Sequence, residues 1–498
     1  MFSRFQDPYR SLVALLYDRS RSLDHERAFV YAERSRARAL LDLLEERKID
    51  IQPDSPEQAM LLHQEANLKS RLAAAYNLSS ADLQASDARA ANESMRTQLE
   101  EELNDVQGEI RNAFPAYAQL RYPEPLEVPA VQEVLASDEL LLEYEATSDR
   151  TFVWAIRRSD LWMKELETTG PRLADRVNEA VGGHHRRPRR PGSPEATAEL
   201  ARLLLDAIPA PAWTGVGRLA IVPHGFLHYL PFEILPQSNL GPGLLADRIP
   251  IAYFPSATLL HNLRTGQGPG SDAGRRGDFI GFGDPAFRGT ATGAPSEVRD
   301  TMLRRFLVLP LPGSGREVAD SSRVFGSRSV VYRGSDATEW RAKTEAPGFR
   351  YIHFATHGIL DDRNPLYSGL LMAPPRAEEL AVDRGLDDFL QVWEMFGLRL
   401  ECDLVVCSAC QTALGPVQEG EGLIGMSRAL FFAGARSLVL SLWSVADEST
   451  AVLMGSFYRH LKRGDGISAA LQAARIECRK TYADSFYWAP FIVVGLGW

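Results

Sequence analysis

Two short apolar runs dominate the pattern of the chain, Tyr351-Ile-His-Phe-Ala-Thr-His-Gly358 and Asp403-Leu-Val-Val-Cys-Ser-Ala-Cys-Gln-Thr412. Each is compact and β-rich, and each stops at a reactive side chain flanked by small residues. That is how a strand buried on both faces of a parallel sheet reads. From residue 351 onward, strand-like and helix-like segments alternate, which predicts a mainly parallel sheet with covering helices. Upstream, residues 139–145, 151–156 and 160–163 read as strands joined by short turns, an antiparallel meander. Residues 218–235 read as a buried strand, a turn and a further apolar stretch. Strands are expected again at 278–283 and 329–332, the latter leading into a helix capped by Ser335 or Asp336.

The first 126 residues follow a different period. Residues 1–48 read as two helices, and 27–44 has the Ala-rich packing face of a tetratricopeptide-type hairpin. No ~34-residue period repeats along the chain, so the hairpin reads as a single remnant or cap. Two more helices are expected at 55–78 and 80–114, the second polar enough to be well solvated in an antiparallel hairpin. The composition changes at Pro123-Glu-Pro-Leu-Glu-Val-Pro129. The predicted organisation is therefore an α-helical region at 1–126 and an α/β domain at 127–498. Within the latter, 346–498 carries the two reactive runs and 127–345 forms the other half.

Composition narrows the function. The chain has 498 residues, 45% hydrophobic and 24% charged, with a formal net charge of −10. That balance argues against direct nucleic-acid binding. The basic loop at 181–193 has no interleaved aromatics and reads as a solvated loop. No apolar run approaches the ~18 residues of a membrane span, and the first residues have no signal-peptide pattern. Of four cysteines, Cys402, Cys407 and Cys410 crowd together and Cys478 stands apart. A disulfide scaffold would spread them, so a reducing, cytoplasmic setting is expected.

The chemistry concentrates where the two runs end. Ligands of an open α/β sheet bind beyond the carboxyl ends of its strands, and those ends present His357 and Cys410. A thiolate is a strong nucleophile even at a small ionised fraction, and an imidazole can accept the thiol proton and return it to a leaving amine. Gly358 and the small Ala409 leave the backbone open there, so the amides of Gly358 and Cys410 are the expected oxyanion-hole donors. A zinc alternative can be written from Cys407, Cys410, His353 and His357. A strand rises ~3.3 Å per residue, which puts Cys407 about 10 Å from Cys410 and disfavours it. No metal and no cofactor are expected. His224 and His228 have no nucleophile or carboxylate cluster beside them and read as structural.

His-Phe-Ala-Thr-His-Gly358, Ser408-Ala-Cys-Gln-Thr-Ala413, Gly420-Glu-Gly-Leu-Ile-Gly-Met-Ser-Arg-Ala-Leu-Phe-Phe-Ala-Gly-Ala435 and Ser441-Leu-Trp-Ser-Val-Ala-Asp447 together resemble the CHAT family. These are caspase-like peptidases of clan CD, related to caspases and separases and commonly attached to tetratricopeptide repeats. The likeness continues upstream through Val222-Pro-His-Gly-Phe-Leu-His-Tyr-Leu-Pro-Phe-Glu-Ile-Leu235 and Tyr253-Phe-Pro-Ser256, and ends with Trp488-Ala-Pro-Phe491. It covers about residues 127–498. His224 stands where the family more commonly has Asp. Thr412 stands where caspases carry Gly, so caspase-type Asp specificity is not carried over. The resemblance implies a caspase-like sheet, a His357–Cys410 dyad acting on a protein substrate, and the two amides named above as oxyanion hole. Control by a protein partner on the N-terminal helices is the expected regulation, in a bacterial defence or cell-death pathway.

In related folds the strand after the nucleophile helix, here 437–445, walls the pocket for the residue before the cut. Trp443 and Asp447 are the expected lining, with Asp361 and Asp362 near the His loop. Acidic lining would favour a basic side chain. Asp447 also reads as the N-cap of a helix at 448–461. The alternative function is a catalytically silent caspase-like platform for assembly or signalling.

Overall fold

The computed structural model describes residues 3–19, 22–46, 55–76, 86–114, 126–182, 192–266, 275–287, 310–361, 364–408, 410–413, 421–443 and 447–498. The chain divides into two compact units, one of Met1–Gln6 with Arg34–Pro125 and one of Asp7–Glu33 with Leu126–Trp498. The boundary falls inside a helix: α1 (Ser3–Asp18) is followed by α2 (Ser22–Glu46), whose first half belongs to the larger unit.

The smaller unit is built on the hairpin of α3 (Pro56–Tyr76) and α4 (Ser86–Ala113). Its apolar positions are sparse and fall into two patches. Leu61 meets Ile110 and Phe114, and further along Leu68 and Ala75 meet Leu99. This antiparallel order leaves mostly polar side chains on the outer faces, with Met60 and Met95 exposed among them.

In the larger unit an eleven-stranded sheet runs in the order β3-β2-β1-β4-β5-β15-β14-β12-β8-β6-β7. Here β1 is Glu139–Ala146, β2 Thr151–Ile156, β3 Leu161–Leu166, β4 Arg218–Val222 and β5 Ile251–Tyr253. Next come β6 (Gly277–Pro285), β7 (Ser329–Gly334), β8 (Phe349–Ala355), β12 (Leu404–Cys407), β14 (Ser437–Ser441) and β15 (Phe491–Gly495). The meander β1–β3 is antiparallel, as its turn spacing predicted. Strands β4 and β5, and β7, β6, β8, β12 and β14, pair in parallel. The two halves join at β15, antiparallel to β14 and parallel to β5. The architecture is mixed α/β, a mainly parallel central sheet flanked by helices, with a helical region ahead of it.

Large side chains close the core. Phe29 of α2 meets the ring of Trp154 edge-on at 6.2 Å. Val13 and Leu16 of α1 join the same cluster with Leu141, Phe152 and Phe254. Each such fully buried side chain contributes about 1.5–3 kcal/mol relative to an exposed one. Glu33, also on α2, accepts the backbone N–H of Ala257 at 3.3 Å and of Thr258 at 2.7 Å. It thereby supplies partners for the otherwise orphaned donors opening the helix Ala257–Thr265.

A second, four-stranded sheet in the order β11-β10-β9-β13 forms from β9 (His357–Leu360), β10 (Gly369–Leu371), β11 (Phe389–Gln391) and β13 (Cys410–Ala413). This sheet is absent from the sequence reading. Between the two reactive runs, where alternation predicts a covering helix, the chain forms β11 followed by one helical turn, Val392–Met395. Pairing with β10 satisfies the backbone there, and tertiary pairing overrides the local pattern.

Candidate functional site

Strands β8 and β12 lie side by side and in register, Cys407 opposite Phe354. Both then cross into the small sheet. Thr356, wholly buried, turns the first strand and donates its hydroxyl to Leu371 O at 2.5 Å. Ser408 turns the second, its N–H donating to Phe354 O at 2.9 Å. Beyond these turns β9 and β13 pair in parallel with the same offset, so Cys410 stands directly opposite His357, and Gln411 opposite Gly358. Neighbouring strands run ~4.8 Å apart, so two backbones far apart in sequence are adjacent here. The residues thus sit on continuing strands, where the sequence reading expected them on the rim of the central sheet.

The His357 ring is half-buried and lies 5.1 Å from the ring of Phe287, tilted by 49°. Gly358 is flanked on both sides, by Leu370 of β10 and Gln411 of β13. Its amide therefore faces a neighbouring strand. Among the described residues β13 is the edge of its sheet, so alternate amides along it lie outside the described ladder.

The expected pocket residues have varied surroundings. Asp361 is nearly enclosed; its carboxylate accepts the N–H of Asn364 at 3.0 Å, and its own N–H donates to Ser368 Oγ at 3.0 Å. These bonds tie the end of β9 to Asn364 and Ser368. Trp443 is 2% exposed, and its indole N–H donates to Phe486 O at 3.0 Å. Asp447 is the first residue of the helix Asp447–Arg463, which starts one residue earlier than expected, so Asp447 opens the first turn. Asp362 lies outside the described residues, as does most of the basic loop at 181–193.

The other groups of the zinc alternative are engaged elsewhere. Cys407 is buried, and burial pushes its thiol up to about 12. His353 is wholly enclosed between Glu317, whose Oε1 lies 3.0 Å from Nε2, and Tyr458, whose hydroxyl lies 3.1 Å from Nδ1. Burial, with the Glu317 charge second, holds the Tyr458 phenol well above its ordinary range, so it remains a neutral hydroxyl. His224 Nδ1 accepts the Ala146 N–H at 3.2 Å, tying β1 to the turn after β4. Sequence reasoning missed Phe287; its only signal was the Gly283-Asp-Pro-Ala-Phe287 turn at the end of β6.

Known proteins align with this chain in three ways. The CHAT domain matches residues 195–496, more than half of the chain. Tetratricopeptide repeat protein 28 of Mus musculus and of Homo sapiens are each 25% identical over 99% of this chain. The match covers 22% of each, so the chain spans about a fifth of the curated relatives. Among solved structures, the Saccharomyces cerevisiae separase–securin complex is similar at TM-score 0.41 and 11% identity, over 95% of this chain and 40% of that one. The Arg specific cysteine proteinase gingipain R is similar at TM-score 0.38 and 9% identity, over 65% of this chain and 73% of its own. By the extent of its domain match, the chain belongs to the CHAT domain family.

Proposed function

We propose that the chain is a cysteine endopeptidase acting through Cys410 and His357. The observation that carries the reading is the pairing of the two residues directly opposite each other across β9 and β13. In the proposed reaction the His357 imidazole takes the Cys410 thiol proton, and the thiolate attacks the scissile carbonyl carbon. The carbonyl electrons move onto oxygen, where the backbone N–H of Cys410 stabilises the oxyanion, joined by that of Gly358 once its strand ladder opens. Collapse expels the amine, which takes the proton from His357. Water, deprotonated by the same imidazole, then releases the acyl group and regenerates the thiol.

The substrate is a protein, and acidic lining by Asp447, Asp361 or Asp362 would favour a basic residue before the cut. A protein partner bound by the N-terminal helices is the proposed control. Labelling with an electrophilic peptide probe tests the reading: wild type reacts and Cys410→Ala does not. Equal labelling of both would end it. An unchanged cleavage rate on adding cell extract would end the control model alone.

One observation favours the silent-platform alternative. Gly358 lies within a strand paired on both sides, so its amide is available to an oxyanion only if that ladder opens. Failure of any peptide library to yield cleavage by the wild type, with intact folding, would select the platform.

A further inference from the structure

We infer that Phe287 is a positioning residue for the His357 imidazole, and that a left-handed turn at Asp284 presents it. The inference rests on the peptidase reading above. Strand β6 loses register with β7 between Gly283 and Pro285. At that slip Asp284 has φ 45°, in the left-handed region that few side chains other than glycine, Asn and Asp enter, and such a turn keeps its shape where the surroundings hold it. The surroundings do so. The Asp284 N–H donates to Ser314 Oγ at 2.8 Å, and its Oδ1 accepts the Leu311 N–H at 3.1 Å. The Ala286 N–H donates to Gly334 O at 3.1 Å. At Gly283 a Cβ would stand 2.7 Å from Ser314 O, so the turn cannot spread on that side.

The chain leaving this clamp delivers Phe287 into a cluster with Ile359 and Leu371, against which Leu311 and Phe389 pack. Phe287 is 6% exposed, and its ring faces the His357 imidazole at 5.1 Å. A fixed aromatic wall on one face removes imidazole rotamers that would swing away from β13.

The test compares Phe287→Leu, Phe287→Tyr and Phe389→Leu in the full chain, by peptide hydrolysis and by NMR of 13C-labelled histidine, with His357→Gln assigning the signal. Phe287→Leu should lower kcat tenfold or more with KM within twofold, and Phe287→Tyr should restore it. Phe389→Leu should lower melting temperature comparably yet keep kcat. The His357 ring signals, displaced by the Phe287 ring current, should move in Phe287→Leu and stay in the other two. Asp284→Asn, which tolerates the left-handed turn and keeps an acceptor, should behave as wild type; Asp284→Ala should follow Phe287→Leu. Ring signals indifferent to Phe287→Leu, or equal kcat losses in Phe287→Leu and Phe389→Leu, would overturn the inference. A wild type without peptidase activity would instead sink the peptidase reading, and the ring signals would still decide whether Phe287 orders the imidazole.

Discussion

Arg475 and Glu233 meet inside the protein, nitrogen to oxygen at 2.8 Å, with 2% and 1% of their side chains exposed. Glu233 also accepts the Tyr253 hydroxyl at 2.7 Å, and Tyr253 in turn accepts the Phe232 N–H at 2.8 Å. The Arg475 guanidinium also donates to Phe491 O, at the start of β15. Removing one partner of such a pair strands a charge away from water. Arg475→Ala should cost about 3–5 kcal/mol, read as a lower denaturant midpoint at constant m. Arg475→Met with Glu233→Leu should recover most of that loss, since a matched apolar pair strands no charge.

Thiol reactivity should single out one cysteine. Burial pushes Cys407 up to about 12 and Cys478 up to about 11, and raises Cys402 further still. Iodoacetamide at pH 8 should therefore modify Cys410 alone in the native protein and all four cysteines in denaturant, as read by peptide mass. Native modification of Cys407 at a comparable rate would contradict its enclosure.

The proposed dyad should separate by role. Cys410→Ala should abolish hydrolysis, while His357→Gln should lower it by about 10²–10⁴ and leave probe docking intact. Equal residual rates in wild type and Cys410→Ala would remove the nucleophile assignment.

Stability should fall on the alkaline side through Glu339. Burial first, and the neighbouring Glu394 carboxylate second, raise its carboxyl from an ordinary 4.5 to about 8. Lys343 bridges the two carboxylates at 2.5 and 2.9 Å. A carboxyl raised in the fold holds a proton that the unfolded chain has released. Its contribution is complete below about pH 4.5 and is lost as pH climbs through about 8. Melting temperature from pH 5 to 9 should decline in wild type and decline less in Glu339→Gln.

The two candidate residues were legible in the sequence because a buried strand announces itself by an apolar run, and a reactive residue breaks the run. That logic led to His357 and Cys410, and the register of β8 with β12 carries their backbones together. The small sheet was not legible. Its strands are three or four residues long, too short for a period of two to register. Nor could α2 be apportioned, since helical spacing finds an apolar stripe without saying which neighbour it meets. Phe287 stood alone between Pro285 and a Gly-rich stretch, with no periodic partner to mark it as enclosed.

The placing of β15 has a consequence for synthesis. The ribosome makes β5 some 240 residues ahead of the strand that bridges it to β14. Until Phe491–Gly495 emerge, the nascent chain holds two half-sheets with open facing edges, and unpaired edges invite association with other chains. Ribosome-bound chains stalled before residue 491 should accordingly recruit chaperones, and chains released after residue 495 should shed them.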